Sequence, residues 1–170
     1  MAQVLARASR IPRLVRFGWL MALYAENHRK LVRLFEPGDL VVGSYASSIG
    51  DGLDLRLDVL EQHRYTSELR LTYMVLDAVT GAPDPSAFVR LYRDAHQVEA
   101  THCHVGRRWQ DAIGMYPPTD TLIRHRLRMN TFLGKWLDYL AEQGHGVARL
   151  QPLAGAPALL DVPARRESGN

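Results

Sequence analysis

The segment LDLRLDVLEQ, residues 53–62, alternates between apolar and polar side chains. Leu53, Leu55, Leu57 and Val59 fall on one side, with Asp54, Arg56 and Asp58 on the other. A period of two predicts a half-buried strand. SELRLTYMVL alternates again, with Leu69, Leu71 and Tyr73 inward, and the HRYT link between the two suits a hairpin. AFVRLYRD and QVEATHCH predict a second hairpin, turning near Asp94, Ala95 and His96. A weaker strand is expected from Trp109 to Ile113. GSYASSIGDG is glycine-rich but lacks the Gly-Lys-Ser/Thr of a phosphate loop, so it reads as a strand end and a turn. TGAPDPS, with two prolines and a glycine, reads as a loop.

Two stretches follow the helical period instead. Leu14, Phe17, Met21, Tyr24, Leu31 and Phe35 recur at steps of three and four, apart from a gap at His28, and Pro37-Gly38 ends the run. Leu122, Met129, Leu133, Trp136, Leu137 and Leu140 form the second apolar face, with Thr119 or Asp120 as the expected cap and Gly144 as the stop. A helix, a run of antiparallel strands and a helix read as an α+β fold. The expectation is a sheet of about five strands with both helices on one face.

The 170 residues suit a single domain over residues 13–148, with a frayed start at 1–12 and a loose Ala/Pro-rich tail at 149–170. RFGWLMALYAENH has a basic lead and a short apolar stretch, but its pattern continues at helical spacing, so it reads as a retained helix. No apolar run approaches the length of a membrane span. The single cysteine excludes an intrachain disulfide framework and agrees with a reducing compartment, so a cytoplasmic location is expected. The net charge of +3 is mild but uneven. Seven Arg or Lys residues from Arg7 to Arg33 are opposed only by Glu26, and a second basic run goes from Arg107 to Lys135. Such a distribution permits an anionic partner.

His102 and His104 share one strand face and could in principle hold a metal, with His96 of the same parity as a third ligand, but without a CxxC, an HExxH or a nearby carboxylate of matching parity no metal or cofactor is expected. By parity the two histidines fall with Val98 and Ala100 toward the core, and Cys103 points the other way as a small strand-end thiol. On the opposite face of this hairpin Arg90, Tyr92 and Glu99 stand together. A two-residue turn at Asp94-Ala95 sets Arg90 directly opposite Glu99, and the register one step over leaves them diagonal; either predicts a cross-strand ion pair beside an aromatic ring. No helix-turn-helix, zinc-finger or RNP-type pattern is present, so sequence-specific nucleic-acid recognition is not indicated.

LMALYAENHRKLVRLFEP, VLEQHRYTSELRL, VRLYRDAHQVEA, MYPP and MNTFLGKWLDYLAEQG occur in that order over residues 20–146. Together they resemble a proteobacterial family, domain of unknown function 1249, the YqiB-like proteins. The resemblance rests on Leu20, Tyr24, Asn27 and Leu31, on Tyr65-Thr66, on Arg90-Leu91-Tyr92 with Asp94-Ala95 and Glu99, and on Asn130, Phe132, Leu133, Trp136 and Gly144. The family usually has His at the position of Arg93 and an acidic-acidic-lysine run at Arg124-His125-Arg126. The resemblance implies, by gene neighbourhood alone, an association with nucleotide metabolism.

Two functions are expected from these residues. One is a non-catalytic binding or regulatory module, whose Tyr65, Arg90, Tyr92, Asp94 and Glu99 contact an unidentified protein or a small anionic ligand, with homo-oligomerisation open. The alternative is a small hydrolase or phosphate-handling enzyme that uses Asp94 and Glu99 as acid and base.

Overall fold

Alternation places Leu55, Leu57 and Val59 on one side of strand β2 (Leu55–Gln62), and all three are buried. The same period buries Leu69, Leu71 and Tyr73 of β3 (Thr66–Tyr73), and Ala87, Val89 and Leu91 of β4 (Ser86–Tyr92). The computed structural model describes residues 2–50, 53–75, 78, 81, 85–105, 107–108 and 118–154. Within them the strands β1 (Gly43–Ser47), β5 (Gln97–Val105), β6 (Arg107–Arg108) and β7 (Leu150–Pro152) complete one antiparallel sheet of order β6-β5-β4-β3-β2-β1-β7. Helices α1 (Ala2–Phe35) and α2 (Thr119–Gln143) accompany it. The fold is α+β, with the helices at the two ends of the chain.

The strand count is seven rather than about five. The additions are the two-residue β6 and the three-residue β7. Composition assigned Leu150–Pro152 to a loose tail, yet these residues pair with Tyr45–Ser47 of β1, and the Leu153 N–H donates to the Ser44 carbonyl at 2.9 Å. The expected strand from Trp109 to Ile113 lies outside the described residues.

The core lies between one sheet face and the helices, from Leu31, Leu34 and Phe35 of α1 through the strand leucines and valines to Met129, Leu133, Trp136, Leu137 and Leu140 of α2. On α1 the buried face differs from the expected one. Leu14 and Phe17 are exposed, and burial follows Leu20, Tyr24, Asn27, Leu31 and Leu34. Those steps of four and three form the stripe that meets α2 and β5. On α2 the stripe is as expected from Met129 onward. Gly144 adopts φ 90° at the C-terminus, and its N–H returns to the Ala141 carbonyl. At the other end Pro118 occupies the cap position without a side-chain bond. Asp120 is drawn instead to Arg16 on α1 (2.5 Å) and to Arg124 (2.9 Å).

Two extra residues break the strict alternation. In β2 the register shifts between Val59 and Glu61, so Leu60 is the inserted residue. Beyond it Gln62 faces the helix side, where its amide donates to the carbonyls of Pro37 (3.1 Å) and Leu40 (2.8 Å). In β5 the shift falls between the pairs Phe88↔His102 and Val89↔Ala100, which makes Thr101 the insertion. A bulge of this kind exchanges the faces of everything after it. Cys103 therefore enters the core, and His102 stands on the outer face against Phe88, ring centroids 6.3 Å apart. This reverses the assignment that parity alone gives to both residues.

Along Gln97–Thr101, β5 pairs only with β4, and the helices cover its other edge. Asn130 of α2 is fully buried there. Its Oδ1 accepts from the Ala100 N–H at 2.7 Å, its Nδ2 donates to the Arg126 carbonyl at 2.8 Å, and its own carbonyl accepts from Asn27 Nδ2 of α1 at 2.9 Å. Asn130→Ala strands a buried strand N–H, which costs about 1–3 kcal/mol beyond the lost packing. The expected total loss in urea unfolding is about 3 kcal/mol. Thr131→Ala on the exposed side of the same turn should change stability by less than about 0.5 kcal/mol. Equal effects of the two substitutions would show that the edge bond carries no special weight.

Candidate functional site

The turn between β4 and β5 spans Arg93–His96, with His96 in the left-handed region at φ 51°. It leaves the register Tyr92↔Gln97 and Arg90↔Glu99. Arg90 and Glu99 are thus directly opposite, as expected, but they are not an ion pair. Arg90 Nε donates to Glu68 of β3, its neighbour on the other side. That bond, and then Tyr92, raise the Arg90 pKa further above its ordinary value. Glu99 instead accepts from the Tyr92 hydroxyl at 2.8 Å and from Arg126 of α2 at 3.1 Å. The cross-strand neighbour supplies the row, and charge pairing is settled by which partner can reach.

Glu99 is 9% exposed, close to the edge of β5 that the helices cover. Tyr24 of α1 faces the same carboxylate and Arg126 without hydrogen-bond geometry. Burial raises its phenol above the ordinary value, with Arg126 acting against that shift and Glu99 with it. Tyr92 is raised for the same first reason, burial, and then because its hydroxyl donates to Glu99. Tyr24, Tyr92, Glu99 and Arg126 form one polar knot between α1, the sheet and α2.

The other expected site residues do not join this knot. Asp94 is exposed on the turn, where its Oδ1 accepts from the Ala95 N–H at 3.0 Å. Tyr65 lies half-exposed on the β2–β3 turn, with the Arg64 guanidinium 5.1 Å above its ring, and its carbonyl accepts from the Arg93 N–H. Sequence reasoning missed Tyr24, Arg126 and Asn130 as parts of the site. A polar residue on the apolar face of each helix, Asn27 and Asn130, was the available signal.

Cys103 is buried, which pushes its thiol up to about 12. It stays protonated at neutral pH and is no nucleophile. Among the described residues no group of three or more His, Cys, Asp or Glu side chains could hold a metal ion. The side chain of His104 lies outside the described residues. No helix among them is long and apolar enough to cross a membrane.

Below the β4–β5 turn, an open groove of about 700 Å³ runs along α1, lined by Ala22, Ala25, His28, Arg29, Val32 and His96. His28 and His96 meet edge to face at 5.3 Å. Burial, and then His96, lower the His28 pKa. Burial, and then Arg128, Arg126 and His102, lower that of His125.

These shifts fix the sign of a pH effect. Below the ordinary value of about 6.5 the unfolded chain takes up protons that the folded His28 and His125 resist. Their contribution is complete above that pH and is lost as pH falls through the folded values. His28→Gln should therefore lose less stability than the parent between pH 7.5 and pH 5.5 in paired urea titrations. An unchanged difference would show that His28 is free to charge in the fold.

The ion-pair exchange makes a second prediction. Glu99→Gln and Arg126→Ala should show a coupling of about 1 kcal/mol, kept modest by the exposure of Arg126. Arg90→Ala and Glu99→Gln should couple more weakly than Glu99 and Arg126 do, because their charges belong to separate pairs and meet only through Tyr92. Strong coupling of Arg90 to Glu99 in a double-mutant cycle would contradict this pairing.

No curated protein and no solved structure matches the chain. The family model described as "Protein of unknown function (DUF1249)" matches residues 30–146. That span takes in the end of α1, six of the seven strands and all of α2, and with it Glu99, Arg126 and Asn130. The chain belongs to the DUF1249 family.

Proposed function

We propose that the chain is a non-catalytic cytoplasmic binding module, directed at a small anionic ligand or an anionic group on a protein. The observation that carries this reading is the separation of the two carboxylates an enzyme would need. General acid–base work requires both groups to reach one reacting centre. Asp94 sits exposed on a turn, bonded to its own backbone, while Glu99 is buried and held by Tyr92 and Arg126. Each Glu99 oxygen is already bonded within the protein, and Asp94 stands apart from it on the turn. The basic excess of the chain favours an anion as the bound species. The lone, buried, protonated cysteine suits a reducing compartment.

The test is to incubate the purified chain with a panel of nucleotides, sugar phosphates and dicarboxylates, following melting temperature and compound recovery together. The expected result is a saturable rise in melting temperature for at least one anion, with the compound recovered unchanged. Turnover of any of them that disappears in Asp94→Asn or Glu99→Gln would replace the binding reading with the enzymatic one.

A further inference from the structure

The outer face of the sheet is polar and densely charged, and the strand register orders it into rows. Ser44, Asp58, Arg70, Phe88 and His102 form one row across β1 to β5. Glu68, Arg90 and Glu99 form the next. Three cations serving this face have carboxylate partners: Arg56 with Asp58 at 2.7 Å, Arg90 with Glu68, and Arg126 with Glu99 at 3.1 Å. Arg70 is the fourth. It is only 8% exposed, its Nε is buried without a hydrogen-bond partner, and no described residue pairs with its charge. Asp58, directly across from it, is held by Arg56. What Arg70 does have is the ring of Phe88, 5.4 Å from its guanidinium carbon.

An arginine cannot shed its proton to escape burial. A guanidinium whose Nε is buried without a hydrogen-bond partner and which has no carboxylate within ion-pair distance among the described residues is costly to hold, and a cation–π contact offsets only part of that cost. The inner face behind Arg70 is filled by Leu69 and Leu71, so a counter-charge must come to the outer face. Its neighbours there define what would fit. The guanidinium fork matches an oxyanion with two adjacent oxygens, the Phe88 ring braces it from one side, and His102 packs edge-on against that ring.

We propose that Arg70 is the anchor of a binding site on the outer sheet face for a small molecule bearing a carboxylate or phosphate group, whose oxygens complete the missing ion pair. This rests on the binding-module reading above and names its anchor and its ligand class. It also places the site one row away from Arg90 and Glu99, whose charges already have partners within the protein.

The test is calorimetric titration of the chain with inorganic phosphate and, separately, malonate, at constant ionic strength. The parent should bind at least one of them saturably, and the stronger of the two identifies the group that the site prefers. Arg70→Met should weaken that binding by about ten- to hundredfold, as expected for loss of a charge-assisted pair. Arg70→Lys, which keeps the charge without the fork, should fall between the two. Arg90→Ala should leave the affinity within a factor of about three, since that side chain already serves Glu68. Melting temperature in ligand-free buffer guards against misfolding: Arg70→Met removes an uncompensated charge and should melt no lower than the parent. Binding that survives Arg70→Met would remove the anchor from Arg70 while leaving the module an anion binder. Failure of the parent to bind either probe would overturn the oxyanion site, and the wider panel above would then decide the binding reading on its own. A clear fall in melting temperature for Arg70→Met would show that the guanidinium is already compensated within the fold, which also overturns the site.

Discussion

The structure depends on closing the open edge of β5. A strand edge presents unpaired N–H and C=O groups that either find partners or recruit another chain. Here the side-chain amide of Asn130 takes up the Ala100 N–H and ties back to its own helix at Arg126, while its backbone carbonyl receives Asn27 from the other helix. Three elements are fixed by one residue. The approach is close: a Cβ built on Gly134, one turn further along α2, would stand 2.7 Å from Asn27 Oδ1. A side chain at Gly134 would force the Asn27 amide to shift from the position in which it donates to Asn130. Lys30 of α1 extends the seam outward to Asp138 at 2.7 Å.

The polar knot follows from that closure. Because α2 is held against β5, Arg126 reaches over the edge to Glu99, and Tyr24 arrives from α1 on the same carboxylate. Glu99 then has less use for Arg90, which turns to Glu68. The charges around the hairpin thus read as a set of neighbouring choices. Each carboxylate is taken by a cation whose side chain reaches it, and the register of the strands alone does not decide which.

The fold was legible wherever the signal was local. The alternation in β2, β3 and β4 and the second half of α2 lie within single windows of sequence, and their inward apolar residues are buried as it predicts, although Asp58, Arg70 and Thr72 on the other face are buried as well. A bulge leaves no such trace. Nothing in QVEATHCH marks Thr101 as the inserted residue, and that one residue moves Cys103 from the outer face to the core. The start of the buried stripe on α1 was equally hidden, because the helix period continues through Leu14 and Phe17 while the elements that cover it do not. For the candidate site, Arg90, Tyr92 and Glu99 were grouped correctly on one face. Their partners Glu68, Arg126 and Tyr24 come from other strands and helices, beyond the reach of parity along one hairpin.

The order of the strands has a consequence for how this chain is made. β2 to β5 follow one another in sequence as neighbours in space, so each hairpin can assemble as it leaves the ribosome. The seam does not share that advantage. Asn27 and Asn130 are separated by 103 positions, and β7, which borders β1, comes later still. During synthesis α1 and the unsealed flank of β5 must wait for the last helix, with their apolar stripe and bare amides accessible in the meantime. A nascent chain of this shape has a long vulnerable interval, which closes only when both of its ends are present.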